Sequence, residues 1–507
     1  MRRLLPLCAA RPALILGLAT LALHLWANGG YDYFRDELYF IVCGQHLAWG
    51  YVDQPPLVPL IARLARMLFG DSLLGLRLVP ALADAALVAL SAEAARRLGG
   101  GSFARWLAGL AVLAAPVFRV DGLLLSTDSL QPLTWLAAAL AIIAATERKR
   151  PGAWYALGVL TGIALLDKYM IAFFLAAAGI GLLLTRERRA LARPAPWLAG
   201  GLALLIVLPN LWWQQSRGWP FLELGAAAAG GKNLTYSPLA WLGQEMLLMS
   251  PLTAPIWLAG LAGFATWPRL ARMRWLAIAW FVLMAMMLLV HGKPYYPAGI
   301  YPILFAGGAV VIEAAIRNGA GRAAIAGVTV LGGLVTLPFA LPILPVDDFI
   351  AYEQAIGLKP QTGEKQALGA LPQYYADMFG WREMAATVGR AYQALPPDDQ
   401  ARAVFFGNNY GEAAAVDLFG GPWRLPPAIS GHNSYYLWGP DGHDGSVVLL
   451  FSRRSHEAML EYCDTAEPVG QTDAPHAMPF ETGLTLWLCR GSKPPLQERW
   501  PALKHYE

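Results

Sequence analysis

The chain has 507 residues, 56% of them hydrophobic and only 15% charged, where a soluble chain of this size carries about 25%. Its net charge of +4 is small, and the basic residues fall in short clusters between apolar runs. That pattern argues against nucleic acid as a partner and for membrane lipids as the surroundings of a multi-pass protein.

Arg2 and Arg3 precede the first apolar stretch, which looks like a signal peptide but shows no small-x-small cleavage site near Trp26–Gly29. It is expected to remain as the first spanning helix. A span needs about 20 apolar residues. Stretches of that kind begin near residues 12, 77, 103, 128, 153, 169, 196, 248, 275, 298 and 323. The first connection is expected to carry two short amphipathic helices, Glu37–Trp49 and Leu57–Leu68, lying along the interface and separated by a bend at Asp53–Pro56. The fold class is therefore a polytopic α-helical membrane protein of about eleven spans, with two interfacial helices in its first outer loop.

Lys/Arg clusters occupy every second connection. They are Arg2/Arg3, Arg96/Arg97/Arg105, Arg148/Lys149/Arg150, Arg186/Arg188/Arg189/Arg193, Arg269/Arg272/Arg274 and Arg317/Arg322. The positive-inside rule places them on the cytoplasmic side. The opposite connections hold Asp36, Glu37, Asp53, Asp121, Asp128, Asp167, Lys168, His291 and Lys293 among many aromatics, so the chemistry is expected outside.

The apolar excess ends near residue 344, which separates a membrane domain over 1–344 from an extracytoplasmic α/β domain over 345–507. In the latter, Ala403–Phe406, Val447–Phe451 and Leu484–Leu488 read as strands, and Glu412–Phe419 and His456–Cys463 as helices. Cys463 and Cys489 both lie on this outer side, where a disulfide persists; two unpaired buried thiols are the alternative. No dinucleotide fingerprint, Walker A motif, zinc-ligand array or G-x-S-x-G elbow occurs. The Asn233-Leu-Thr235 sequon is short enough to arise by chance.

The first outer loop carries the most chemistry: Tyr31-Asp-Tyr-Phe-Arg35-Asp36-Glu37, then Trp49-Gly-Tyr-Val-Asp53-Gln54-Pro55-Pro56-Leu57. A charge at the bilayer centre costs roughly 2.5–3.5 kcal/mol, so acids beside a span are expected to meet water, cations or a substrate. With Leu125-Ser-Thr-Asp128, Leu165-Leu-Asp-Lys168-Tyr169 and Gly292-Lys293-Pro-Tyr295-Tyr296-Pro297, the loop resembles the GT-C glycosyltransferases of the protein O-mannosyltransferase type, which include the bacterial lipid A aminoarabinose transferase. Gly407-Asn-Asn-Tyr-Gly-Glu412 and Gly431-His-Asn-Ser-Tyr-Tyr-Leu-Trp-Gly439 extend the resemblance to the tail.

The resemblance implies inverting transfer of a sugar from a polyprenyl-phosphate donor to a glycan, lipid or protein acceptor. The site would lie at the outer face of a bacterial inner membrane, with the C-terminal domain periplasmic. Asp36 matches the base, and Glu37 a neighbour orienting the acceptor or a cation. Lys168 and Lys293, with Arg35 and Arg119 as weaker candidates, supply positive charge for the leaving phosphate, interfacial snorkelling being the plainer role of each. Asp53, Asp128, Tyr169, Tyr295 and Tyr296 fall at substrate positions, and Gln54 stands where many relatives carry His or Lys. That departure removes an expected phosphate contact.

The plainer role of Asp128 is helix capping, and Asp167 is a simple partner for Lys168. His432, Asn433, Tyr435, Tyr436 and Trp438 suit stacking on an acceptor sugar, or equally a buried corner. A divalent cation at the acids is left open. The alternatives are a transporter or flippase of lipid-linked sugars, and an inactive receptor or assembly factor.

Overall fold

A computed structural model describes residues 11–147, 150–232, 234, 236–360 and 362–506. Arg2, Arg3, Cys8, Arg148, Lys149 and the sequon residues Asn233 and Thr235 lie outside the described residues. The chain divides into two compact units, one of Met1–Gly30, Ala65–Trp212 and Thr235–Pro345, the other of Tyr31–Leu64, Trp213–Leu234 and Val346–Glu507.

The first unit is helical, and a helix stands at each expected span. Five helices among the described residues have the length and apolarity to cross a membrane: Leu78–Arg97, Pro194–Ser216, Pro268–Leu289, Tyr296–Ala315 and Gly319–Ala340. Two more candidates are bent pairs. Ser102–Ala114 and Pro116–Leu123 meet at 66°, because Pro116 lacks the N–H that would continue the helical ladder. Pro238–Leu248 and Pro251–Thr266 meet at 87°, where Ser250 takes a positive φ of 61° before Pro251. Pro12–Ala27, Gln131–Thr146, Gly152–Asp167 and Ile171–Leu183 are shorter apolar helices.

Small residues set the closest approaches in this unit. A Cβ on Gly308 would lie 1.7 Å from the Ile256 carbonyl oxygen, and one on Gly260 2.0 Å from that of Leu304. The helices Ala254–Thr266 and Tyr301–Ala315 therefore pack backbone to backbone, as small residues permit in membrane bundles.

The second unit begins with the two loop helices, Arg35–Gln45 and the start of Leu57–Phe69. The first stops short of the expected Trp49. The Tyr51 hydroxyl donates to the Cys43 carbonyl at 2.8 Å, satisfying an acceptor that the helix end leaves open. The second exposes Leu60, Leu64, Met67, Leu68 and Phe69, an apolar face without a protein cover among the described residues.

The tail of this unit is a small α/β domain. Its strands are β1 (Ala403–Gly407), β2 (Ile429–Ser430), β3 (Val447–Ser452), β4 (Cys463–Gln471) and β5 (Thr485–Ser492), in the order β2-β1-β3-β5-β4. β1 runs parallel to β2 and β3, whereas β3–β5 and β5–β4 are antiparallel. The helix Tyr410–Phe419 follows β1, and Asn409 caps it by accepting from the amides of Gly411 at 2.8 Å and Glu412 at 3.0 Å.

The expected helix His456–Cys463 is corrected: it is helical only over His456–Met459, and Cys463 opens β4. Cys463 is disulfide-bonded to Cys489 of β5, with Cα atoms 5.6 Å apart. The bond ties the edge strand to its neighbour.

Candidate active site

In the second unit the polar residues gather at the start of helix Arg35–Gln45. Its two adjacent acids are not equivalent. Glu37 is fully buried, and its Oε2 accepts the Phe34 amide at 2.9 Å, satisfying a donor at the open helix N-terminus. Asp36 keeps 32% of its side chain exposed. Its Oδ1 accepts the Tyr410 hydroxyl at 2.7 Å and lies 3.6 Å from Arg35 Nε. Oδ2 makes no hydrogen bond among the described residues.

Arg35 is buried beneath this pair. Its main-chain amide donates to the Asp377 carbonyl at 3.0 Å, and its guanidinium lies 5.3 Å from the Tyr410 ring centre. Its aliphatic stem passes Gly411 so closely that a Cβ there would come within 2.5 Å of Arg35 Cγ. Burial alone would lower the guanidinium, but Asp377, Tyr410, Asp36 and Glu364 outweigh it and hold Arg35 charged. Beside it, Tyr39 donates to Asp53 Oδ1 at 2.9 Å, accepts the Ser434 amide at 3.2 Å and packs its ring 4.7 Å from that of Tyr410.

More carboxyls are buried around this centre. Burial pushes Glu481 up to about 7 and Asp377 up to about 6, Arg35 opposing the rise in both. Glu412 is also raised, by burial and then by Glu481. A carboxyl raised in the folded state binds protons that the unfolded chain, near pH 4.3 for Glu, has already released. Its contribution to stability is complete below that value and lost as pH rises through about 7 for Glu481. Thermal unfolding should therefore show a Tm that falls from pH 5 to pH 8, and Glu481→Gln should flatten this slope because it keeps a neutral partner for Asn409 (2.8 Å) at every pH. An unchanged slope in the variant would show that Glu481 titrates normally.

The first unit holds a separate polar cluster. Lys168 Nζ donates to both carboxylate oxygens of Asp128, at 2.7 and 2.8 Å, and lies 4.8 Å from the Tyr296 ring centre and 5.9 Å from that of Tyr295. Gln131 Nε2 donates to the Tyr296 carbonyl at 3.0 Å, fixing the segment. The simple pairing of Lys168 with Asp167 is corrected, since Asp128 takes the ammonium and Asp167 is buried beside it. Nor does Asp128 cap a helix with its side chain: the Gln131 amide binds its main-chain carbonyl. Tyr169 donates to Asn210 Oδ1 at 2.5 Å, and Lys293 is half-buried next to Gly292, whose carbonyl accepts Trp241 Nε1 at 2.7 Å. Arg119 does not snorkel. It is buried against Asp84, whose other oxygen meets His24 Nε2 at 2.7 Å.

Of the tail aromatics, most prove internal. His432, Asn433 and Tyr435 are buried: His432 stacks on His505 at 4.4 Å, and Tyr435 donates to Asp417 at 2.5 Å. Tyr436 stacks on Trp500 at 6.0 Å. The expected sugar-stacking face thus reduces to the half-buried Tyr436 and Trp438, the latter stacked on His46 at 4.4 Å. Gln54, expected at a substrate position, is 1% exposed and buried beside the Cys43 thiol. No group of three or more His, Cys, Asp or Glu side chains among the described residues is arranged to hold a metal.

Sequence reasoning assigned no role to Tyr410 or Asp377. Tyr410 stood within the Gly407–Glu412 motif, which was a usable signal; Asp377 had none.

Three comparisons bear on this arrangement. A family model described as dolichyl-phosphate-mannose-protein mannosyltransferase matches residues 53–213. The lipid A galacturonosyltransferase RgtD of Rhizobium johnstonii is 29% identical over 183 residues, which are 36% of this chain and 38% of that protein, so the match spans well under half of the relative. Crystal structures of ArnT from Cupriavidus metallidurans share the fold. The form bound to undecaprenyl phosphate covers 94% of this chain and 97% of its own at a TM-score of 0.59 and 15% identity. The apo form covers 93% and 97% at the same score and identity. The family model and the curated relative accord with the glycosyltransferase resemblance drawn from the motifs, and the crystal structures show the fold, which is ArnT-like, helical with a small sheet domain at the C-terminus.

Proposed function

We propose that a chain with this GT-C fold transfers a sugar, with inversion, from a polyprenyl-phosphate donor to an acceptor hydroxyl at the outer face of a bacterial inner membrane. In this reading the membrane domain over 1–344 crosses eleven times, and 345–507 is periplasmic. The observation that carries the reading is the asymmetric setting of Asp36: one oxygen is fixed by Tyr410, and the other is open.

An acceptor hydroxyl gives its proton to Asp36 Oδ2 as its oxygen bonds to the anomeric carbon. The bond from that carbon to the donor phosphate oxygen breaks on the opposite face, and the electron pair leaves with the polyprenyl phosphate. Lys168 and Lys293 supply the positive charge for that phosphate. Lys168 can do so because Asp128 holds its ammonium in place without burying it fully; its side chain is 19% exposed. Tyr295 and Tyr296 flank the ammonium, and Tyr169 of the first unit and Asp53 of the second are assigned to the substrate on the resemblance alone. Glu37 acts through the backbone, holding the turn that presents Asp36.

The reading is tested with the purified chain, radiolabelled polyprenyl-phosphate sugars and candidate lipid, glycan and protein acceptors. Transfer with release of polyprenyl phosphate supports it. Movement of intact lipid-linked sugar across vesicles without transfer would establish the transporter instead, a reading favoured by the buried polar cluster of His24, Asp84 and Arg119.

Tyr410 has a smaller expected effect. Tyr410→Phe removes one oriented hydrogen bond to the base, and kcat should fall about tenfold with KM little changed. Steady-state kinetics on the folded variant separate this from a loss of substrate binding.

A further inference from the structure

The second unit contains a cleft that the proposed reaction leaves unassigned. Its volume is about 290 Å³, and its walls include His46, Tyr51, Trp213, Arg217, Ser434 and Trp438. No carboxylate is among the lining residues. The walls are tied down. Tyr51 donates to Cys43 O and accepts from the Ala48 amide, while Gln214 Nε2 donates to the Tyr51 carbonyl at 3.0 Å. His46 lies flat on Trp438 at 4.4 Å, and the Arg217 guanidinium sits 5.7 Å from the Trp213 ring centre.

Flat aromatic faces offer the C–H face of a pyranose a complementary surface, and an exposed guanidinium takes a carboxylate or phosphate bidentately. Asp441 is the acid whose field reaches His46, and it is not among the lining residues. Arg217 is therefore the group that selects an anion. The cleft is also coupled to the carboxyls: Ser434 in its wall accepts the Val52 amide at 3.2 Å and donates its own amide to Tyr39, which holds Asp53.

We infer that this cleft is a binding subsite for an anionic sugar unit of the acceptor, a pyranose bearing a carboxylate or a phosphate, stacked by Trp438 and Trp213 and held by Arg217. The word acceptor rests on the transfer reading; the binding itself does not, and it can be measured without donor.

Saturation-transfer NMR on the detergent-solubilised full chain would compare methyl glucuronoside, glucose 6-phosphate and methyl glucoside. At least one anionic sugar should bind about tenfold more tightly than the neutral one, the size of one charge-assisted hydrogen bond. Whichever anion is preferred identifies the source as uronic acid or sugar phosphate. Arg217→Gln should erase the preference, and Trp438→Leu should weaken all three about tenfold, as loss of an aromatic platform does. Equal binding of the neutral sugar, an intact preference in Arg217→Gln, or no binding of any of the three at millimolar concentration overturns the inference. Loss of transfer in an Asp36 variant that still binds these sugars separates the two claims.

Discussion

Asp36→Asn is expected to lower sugar transfer by about 10²–10⁴-fold, the range that a positioned general base contributes. Asparagine keeps the shape of the side chain and an oxygen to accept from Tyr410, so the constellation at the helix start survives. What it lacks is the capacity to take the acceptor proton on the open side. The stability cost should be small. The Arg35–Asp36 contact is 3.6 Å long, beyond good hydrogen-bond distance, and Asp36 is about one-third exposed. Arg35 also retains Asp377. Initial rates with radiolabelled donor, alongside Tm, decide the point: a folded variant that still transfers at close to the wild-type rate removes Asp36 as the base. Glu37→Gln makes the contrast: its amide oxygen can still accept the Phe34 amide, so transfer should fall far less than in Asp36→Asn.

That contrast marks what the residues alone could convey. Two adjacent acids after an apolar run announce a costly polar site, because membrane insertion penalises them whichever way they point. Which acid turns inward depends on the first turn of the helix: Glu37 reaches back to Phe34, and Asp36 is left facing a tyrosine 374 residues away. No local pattern encodes that pairing. The helices were legible for the opposite reason, since the bilayer demands a long apolar run within one segment. In the tail, β1 and β3 are buried runs and were readable, but β4 is an edge strand, mostly exposed and interrupted by Pro468 and Gly470, so its residues carry no strand-like alternation. Burial of His432, Asn433 and Tyr435 was hidden because a polar-aromatic string reads the same on a surface as in a satisfied interior.

Lys168→Met should likewise abolish most transfer, by about 10²–10³-fold if the ammonium stabilises the leaving phosphate. This substitution has a second consequence, which must be separated from the first. Lys168 and Asp128 are both less than one-fifth exposed, and removing one partner of such a pair costs about 3–5 kcal/mol when it is fully buried, less at this exposure. A destabilised variant could lose activity for that reason alone. Asp128→Asn in the same chain removes the uncompensated carboxylate, so Lys168→Met/Asp128→Asn should recover most of the lost Tm. If Lys168 only neutralises Asp128, transfer returns with stability. If it meets the donor phosphate, the double variant is stable and still inactive, and release of polyprenyl phosphate remains the step that has slowed.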